Sequence, residues 1–533
     1  MPSLVTDNFR VFAAEQFIES LEEPYTSVGV PDSDDSSAAS QAYRSKIYLF
    51  IGRSYNWNDG SAPLSGGEKY GQVSAVSDFS PPDPVDSYDE LSEIYDDMIA
   101  IKRVTRSDVS QVIRKRTWQN NTVYDMYRSN YSSSNLSATG QSKLYDSQFY
   151  VINSNYQVYK CIFNGQSPTY PNGRPSTEEP TGTSTGIIDS PTDNYRWKYM
   201  YTLSISDYIK FVSTDFIPVK ADSTVSSAAV GGAINQVVIT NRGSGLTAGT
   251  YYSPIIGDGG LGGDTTKAIA RIVVPSSDTN ANKIDTAEIQ QAGTGYTFGK
   301  LNLAECYSSI NDALARTGTV TSLSANSSAV EVVISPPGGH GSDALRELGA
   351  YRVMINKSLD FLDGSGDIPV DMQFRRFGLI SDPQTTANAD FTTTTAAVCK
   401  SIKFSSSAVT NFTNGEIITQ ATTGAKGRII HWDSTTKILR YYQNEYISAQ
   451  QSGSNANKLV EFSGANAITG ATSGTVLTPD TAYSSTISGI TFTSGYNAGE
   501  IKKFSGQILY VENRKPVFRS NDQIEDVKLV VEF

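Results

Sequence analysis

The chain has 533 residues, with 43 Lys plus Arg against 55 Asp plus Glu and a formal charge of −12. That length exceeds what one hydrophobic core serves and predicts about two to four domains, while the negative balance gives no electrostatic support to a nucleic-acid or anionic-membrane partner, so protein partners are expected. The longest apolar stretches, such as residues 47–51, fall far short of the ~18–20 residues that cross a bilayer, and residues 1–7 lack the basic region and apolar core of a signal peptide, so synthesis and retention in a cytoplasm are expected.

Charged residues make up only 18% of the chain, against 30 Tyr and 43 Gly, a composition of short strands and many turns. In chain order, Phe9, Phe12, Ala13, Phe17 and Leu21 recur at three- and four-residue spacing and predict a helix that lays this face on a core. A disordered segment is expected over 31–40, then a strand over 43–53 that ends in a turn, with Trp57 just beyond. Ser87-Tyr88-Asp89-Glu90 reads as a capping box opening a second helix, whose stripe is Leu91, Ile94, Tyr95, Met98 and Ile99. Acids crowd its first turns and Lys102-Arg103 its last, as the helix dipole favours. From Arg114 to about Lys220 strands are expected, among them 148–152, 158–163 and 195–203.

Two blocks interrupt this plan, each with an internal near-repeat. Ile239 to Thr247, containing Gly243-Ser244-Gly245, returns 50 residues later as Ile289 to Thr297, containing Gly293-Thr294-Gly295. Phe412 with Thr422-Thr423-Gly424 returns as Phe462 with Thr472-Ser473-Gly474, again 50 residues on. Two copies each predict duplicated β-hairpin units whose glycines serve turns, since a solenoid needs at least three. The predicted fold is mainly β with a few helices, a β-rich α+β chain. Core domain I comprises 1–104 with 336–400 and 483–533, core domain II comprises 105–222, and β insertions occupy 223–335 and 401–482.

Several short patterns invite a chemical reading. Gly182-Thr183-Ser184-Thr185-Gly186 matches the nucleophile elbow Gly-x-Ser-x-Gly, but it lies in a Pro/Thr/Gly loop with no helix following, and the candidate bases His340 and His431 are distant in sequence. Gly257-Asp258-Gly259-Gly260-Leu261-Gly262 matches Gly-x-Gly-x-x-Gly, yet a strand follows where a dinucleotide site needs a helix N-terminus, so a hairpin turn is expected. Asp360, Asp363 and Asp367 offer oxygens for Ca²⁺, although Asp-Gly turns form without metal. Cys161, Cys306 and Cys399 are too scattered for a zinc site or a disulfide framework and read as reduced, mostly buried thiols. The cluster Lys102, Arg103, Arg106, Arg114, Lys115 and Arg116 follows eight acids between Asp78 and Asp97. It reads either as a dock for an acidic neighbour or as local pairing on a solvated edge. The reading assigns no catalytic residue, metal or cofactor, leaves a structural Ca²⁺ open, and expects no small-molecule substrate.

The tail carries Tyr510-Val511-Glu512-Asn513-Arg514-Lys515-Pro516-Val517, then Asp522-Gln523 and Glu525-Asp526, and closes at Phe533. An acid, an amide and a guanidinium side by side between β-rich runs suit holding a position, with Pro516 stiffening the exit from the strand. This motif closely resembles the C-terminus of the dimeric, gene-eight-type baseplate wedge subunit of T-even-like contractile-tailed phages, particularly the cyanobacterial myophage versions. Phe50-Ile51-Gly52-Arg53 with Trp57, and Val158 to Cys161 followed by Trp197 and Tyr199, resemble the same family, whereas the two insertions do not align to it.

The resemblance implies a virion protein of the tail baseplate, assembled in the host cytoplasm. It would form a homodimer, join other baseplate wedge subunits and allow their rearrangement when the sheath contracts. The residues expected to serve the scaffold or its contacts are Arg53, Trp57, Trp118, Trp197, Glu512, Asn513, Arg514 and Phe533, the aromatics as anchors and Arg514 as a clamp. Abundant Tyr with Asp and Asn would equally suit the alternative, a carbohydrate-binding or depolymerising tail protein.

Overall fold

A computed structural model describes residues 4–22, 46–57, 76–360, 362–363, 366–405, 407, 409–443 and 459–533. The predicted segment 31–40 and the start of the predicted strand at 43–45 lie outside the described residues. The chain is mainly β, 38% strand against 12% helix. It divides into two compact units, one formed by 1–16, 110–354 and 530–533, the other by 17–109 and 355–529.

The first unit is built on a four-stranded antiparallel sheet in the order Tyr150–Ile152, Gln157–Asn164, Tyr195–Thr202, Ile187–Ser190. The Tyr195–Thr202 strand is buried over most of its length. Its ring-rich sequence is therefore a core sequence, and Tyr195 stacks on Trp197 at 5.3 Å. A short helix, Ile205–Phe211, follows, capped by Ser204 accepting from the Asp207 N–H.

In the first repeated block the strand Ile234–Asn241 pairs with Ala329–Ile334, and a second sheet runs Thr286–Gln291, Ile269–Val274, Gly249–Gly257, Gly299–Leu301. Its two copies are not independent hairpins. The Ile234 N–H donates to Ala292 O at 2.9 Å and the Ile284 N–H to Arg242 O at 2.9 Å; the Leu246 N–H donates to Asn282 O at 3.0 Å and the Tyr296 N–H to Gly232 O at 3.1 Å. Each bond has a mate displaced by one repeat in both partners, so the copies clasp each other reciprocally. Gly243, Gly245, Gly293 and Gly295 all have positive φ, as the turns require.

The second unit centres on a five-stranded sheet in the order Thr395–Ala397, Met98–Arg103, Ile47–Gly52, Met372–Ser381, Gln507–Arg519. The central Ile47–Gly52 strand is buried throughout. Ile94 and Tyr95 of the helix Tyr88–Asp97 join Tyr48, Phe50 and Ile380 in one apolar cluster. A seven-stranded sheet runs Val476–Leu477, Ile468–Gly470, Ile417–Gln420, Lys426–Asp433, Ile438–Tyr442, Lys400–Lys403, Tyr496–Asn497. Here too the repeats pair with each other: Ile418 faces Gly470 and Gln420 faces Ile468. The Ala421 N–H donates to Ala467 O and the Ala471 N–H to Ile417 O.

Three local expectations change. In the helix Asp7–Glu22, Phe9 and Phe12 are 62% and 50% exposed, and the buried positions are Val11, Ala14 and Ile18. The apolar residues there form two stripes, and spacing alone does not say which one is covered. The second helix starts where predicted, with Ser87 accepting from the Glu90 N–H, but it ends at Asp97. Met98–Arg103 is a strand held between two others, so Lys102 and Arg103 are not helix-end charges. Pro516 lies inside the strand Gln507–Arg519 and not at its exit. It is tolerated because this strand is at the sheet edge.

Candidate functional site

The buried polar centre of the second unit is an arginine network, laid out by the strand Met372–Ser381 and the turn after Gly52. Arg53, Arg376 and Trp57 are fully buried and Arg375 is 2% exposed. Adjacent side chains on a strand point to opposite faces, and Arg375 and Arg376 accordingly serve different partners. Arg375 donates to both oxygens of Asp78, at 2.9 and 2.8 Å, and to the Ser54 carbonyl and the Asn56 side chain. Burial pushes the Asp78 carboxyl up, but this two-pronged bond outweighs it and holds the group below the usual carboxylate range.

Arg376 faces the other way. Its Nη1 donates to Asp97 Oδ2 at 2.9 Å, its Nη2 to Glu90 Oε1 at 3.0 Å and its Nε to Asn513 Oδ1 at 2.9 Å. Arg53 sits beside it, with φ of +56° where the chain turns out of its strand. It donates to Glu93 Oε1 at 3.2 Å and lies over the rings of Tyr55 and Trp57 at 4.0 and 4.2 Å. Gly52 permits this approach, since a Cβ there would stand 3.1 Å from both the carbonyl and a carboxylate oxygen of Asp97.

Among the described residues two guanidiniums, Arg53 and Arg376, face three carboxyls, Glu90, Glu93 and Asp97, in a buried site. Burial pushes Asp97 up to about 7, against the pull of Arg376 and Arg53 and with the repulsion of Glu93 and Glu90. Glu93 Oε2 and Asp97 Oδ1 find no donor among the described residues, and a proton taken up by Asp97 would supply one.

The expected site residues separate on this geometry. Arg53, Trp57 and Asn513 belong to the network: Trp57 Nε1 donates to Arg514 O at 2.8 Å, and Asn513 Nδ2 to Pro82 O at 3.0 Å. Glu512 accepts from the Tyr510 hydroxyl at 2.8 Å. Arg514 is exposed, 3.3 Å from Glu512 and 5.6 Å over the Phe377 ring. Its main-chain carbonyl does the bracing that its guanidinium was expected to do.

Trp118, Trp197 and Phe533 lie in the first unit. Trp197 is core, Trp118 Nε1 donates to Ser176 Oγ at 3.1 Å, and the Phe533 N–H reaches Tyr351 O while its carbonyl accepts from Arg10. Sequence reasoning missed Arg375 and Arg376, though a charged doublet inside the apolar run 372–380 was the available signal. It also missed Arg519, fully buried on Glu525 at 2.6 Å and on the carbonyls of Leu359, Asp360 and Pro369.

The candidate chemical motifs serve local structure. Ser184 Oγ accepts from the Gly186 N–H within a loop. Asp258 accepts from the Thr297 side chain and from the N–H groups of Thr297 and Phe298, which together lower its carboxyl to about 2. Asp363 accepts from Lys102 at 2.6 Å and Asp367 from Thr395 at 2.6 Å. No cluster of three or more His, Cys, Asp or Glu side chains suited to a metal occurs among the described residues. Cys161, Cys306 and Cys399 are buried free thiols. Lys102 also donates to Ser358 O, Arg106 to Val109 O and Arg116 to Asp146 O. Among the described residues Lys102 and Arg116 thus find acceptors outside the acidic stretch 78–97.

A second buried ion pair lies in the first unit. Lys160 donates to Glu347, whose other oxygen accepts from the N–H groups of Gly341 and Asp343 at 2.8 and 3.2 Å. His340 stands edge-on to Tyr127 at 5.0 Å. Burial, then the charges of Lys160 and Lys198, keeps it neutral far below its ordinary range. Such a histidine suits packing better than proton transfer.

No protein-family model matches this chain, and no curated protein matches it in sequence. Among the described residues no helix is long and apolar enough to cross a membrane. The arrangement of the arginine network is that of a fixed joint: its cations are surrounded by protein acceptors, and three of the expected residues hold the Gln507–Arg519 strand and the segment 53–57 in place.

Proposed function

We propose that this chain is a structural virion protein, a baseplate wedge subunit of a contractile phage tail. It acts without chemistry, by pairing with a second copy of itself and by binding other wedge subunits during tail assembly and sheath contraction. The observation that carries this reading is the bond from Trp57 to the Arg514 carbonyl. The two sequence motifs that resemble the wedge family come from opposite ends of the chain, and this bond together with Asn513 makes them parts of one joint. A joint of this kind suits a subunit that must keep its shape under load while its neighbours move.

The test is mass measurement of the purified chain, alone and mixed with wedge subunits of the same phage. A dimer alone and a larger complex on mixing are expected. A stable monomer or trimer that ignores those subunits would overturn the reading.

A second reading, binding of host-surface carbohydrate, is favoured by a groove of about 810 Å³ in the second unit, with Tyr95, Tyr496, Asn497 and Lys400 among its walls. Aromatic faces beside amides and a cation suit sugar rings. Binding of the chain by itself to host glycan, lost on Tyr496→Ala, would select this reading over the first.

A further inference from the structure

The Gln507–Arg519 strand is 13 residues long and pairs with the strand Met372–Ser381 alone among the described residues. A long open edge is a template for another strand, and proteins usually blunt such edges with charge, proline or bulges. Here charge and proline, at Lys515 and Pro516, fall only in the later half, and the earlier half carries a bulge alone. The earlier half, residues 507–511, carries Ile508, Leu509, Tyr510 and Val511 with no charged side chain. The register slips between Leu379 and Ile380, so that Tyr510 faces Leu379 and Ile508 faces Ile380. Leu509 is thus the extra residue of a bulge, and its main chain is not committed to the ladder.

Beside this half lies a groove of about 300 Å³ walled by Pro84, Val85, Leu91, Ile508, Leu509 and Val511. Val85 is 57% exposed and Leu509 48%. Asp86 lines this groove, and it and Asp83, three residues before it, are exposed.

We infer that this edge and groove together form a docking site for an extended segment of another polypeptide, one that adds as a strand to residues 507–511. Its alternate side chains, apolar, enter the groove, and a Lys or Arg passes Asp83 and Asp86. An added strand gains main-chain hydrogen bonds from the open edge and side-chain selectivity from the groove. The acidic approach then selects a basic partner segment over an acidic one. This inference stands on the edge and groove themselves, and it and the mass measurement above fail independently.

The experiment is selection of random twelve-residue displayed peptides on the full chain, followed by binding of a selected synthetic peptide. Enriched sequences should alternate apolar with polar residues and carry Lys or Arg. Binding should fall tenfold or more in Val85→Asp and in the Asp83→Lys, Asp86→Lys double variant, with melting unchanged, and the peptide should protect amides of 507–511 from hydrogen exchange. Leu509→Lys serves if Val85→Asp does not fold. The inference is overturned if no alternating consensus is enriched, or if a selected peptide binds these variants within twofold of the original. It is equally overturned if the edge pairs with a second copy of this chain, seen as a dimer that Val85→Asp dissolves while no peptide is selected.

Discussion

Arg376 Nε donates to the side-chain oxygen of Asn513 at 2.9 Å across 137 residues of sequence. The middle residue of Glu512-Asn513-Arg514 therefore completes the shell of a fully buried cation, while its charged neighbour Arg514 stands in solvent. Asn513→Ala removes an acceptor from a buried charge and should cost about 2–3 kcal/mol. Arg514→Ala removes an exposed pair and should cost under ~0.5 kcal/mol, because the carbonyl that Trp57 uses remains. Urea unfolding followed by tryptophan emission separates the two; equal costs would mean that the guanidinium braces the strand after all.

Arg376→Met should be among the most damaging single changes in the second unit, at about 3–5 kcal/mol, because it removes the buried cation that Glu90 and Asp97 share. Adding Glu90→Gln and Asp97→Asn should recover part of that loss by removing the uncompensated charge. A triple variant less stable than Arg376→Met would show that the acids have other cations to lean on.

Gly232→Ala should cost clearly more than Gly245→Ala, although their φ angles are nearly the same, +66° and +67°. The left-handed backbone costs each about 1 kcal/mol. At Gly232 an added Cβ would also meet the Tyr296 nitrogen at 2.3 Å, whereas at Gly245 the nearest atom is 3.6 Å away. Since Gly232 O also accepts from the Tyr296 N–H, thermal melting should show Gly232→Ala loosening the clasp between the repeats.

Acidification from pH 7 to 5 should destabilise the first unit through His340, whereas in the second unit the loss through His431 is opposed by a gain through Asp97. Burial, with Arg440 next to it, lowers His431 to about 4, and Arg440 Nη1 lies 3.4 Å from its Nδ1. A histidine lowered in the fold takes up its proton more readily when unfolded, so its stabilisation is complete above about 6.5 and is lost as pH falls toward 4. At pH 5 that amounts to about 1–2 kcal/mol for His431. Asp97, raised to about 7, works oppositely: folding favours its protonated form, so it gains relative stability as pH falls through 7. His431→Gln should flatten the acid limb of the melting profile, and Asp97→Asn should steepen it. A His431→Gln profile identical to the parent would sink the assignment.

By itself the sequence determined what depends on neighbours along the chain. The β-rich character follows from alternation and ring-rich runs, the start of the helix at Tyr88 from the hydroxyl of Ser87, and the turns of both repeats from glycines whose positive φ is a local matter. The exposed side of the helix Asp7–Glu22, the end of the second helix at Asp97 and the clasp between repeat copies were settled only by tertiary structure. Each depends on which distant surface arrives to cover an apolar stripe or complete a ladder. The same holds most strongly for Arg375 and Arg376. A guanidinium stays in a core only where acids and carbonyls converge on it, and Glu90 and Asn513 reach Arg376 from 286 and 137 residues away.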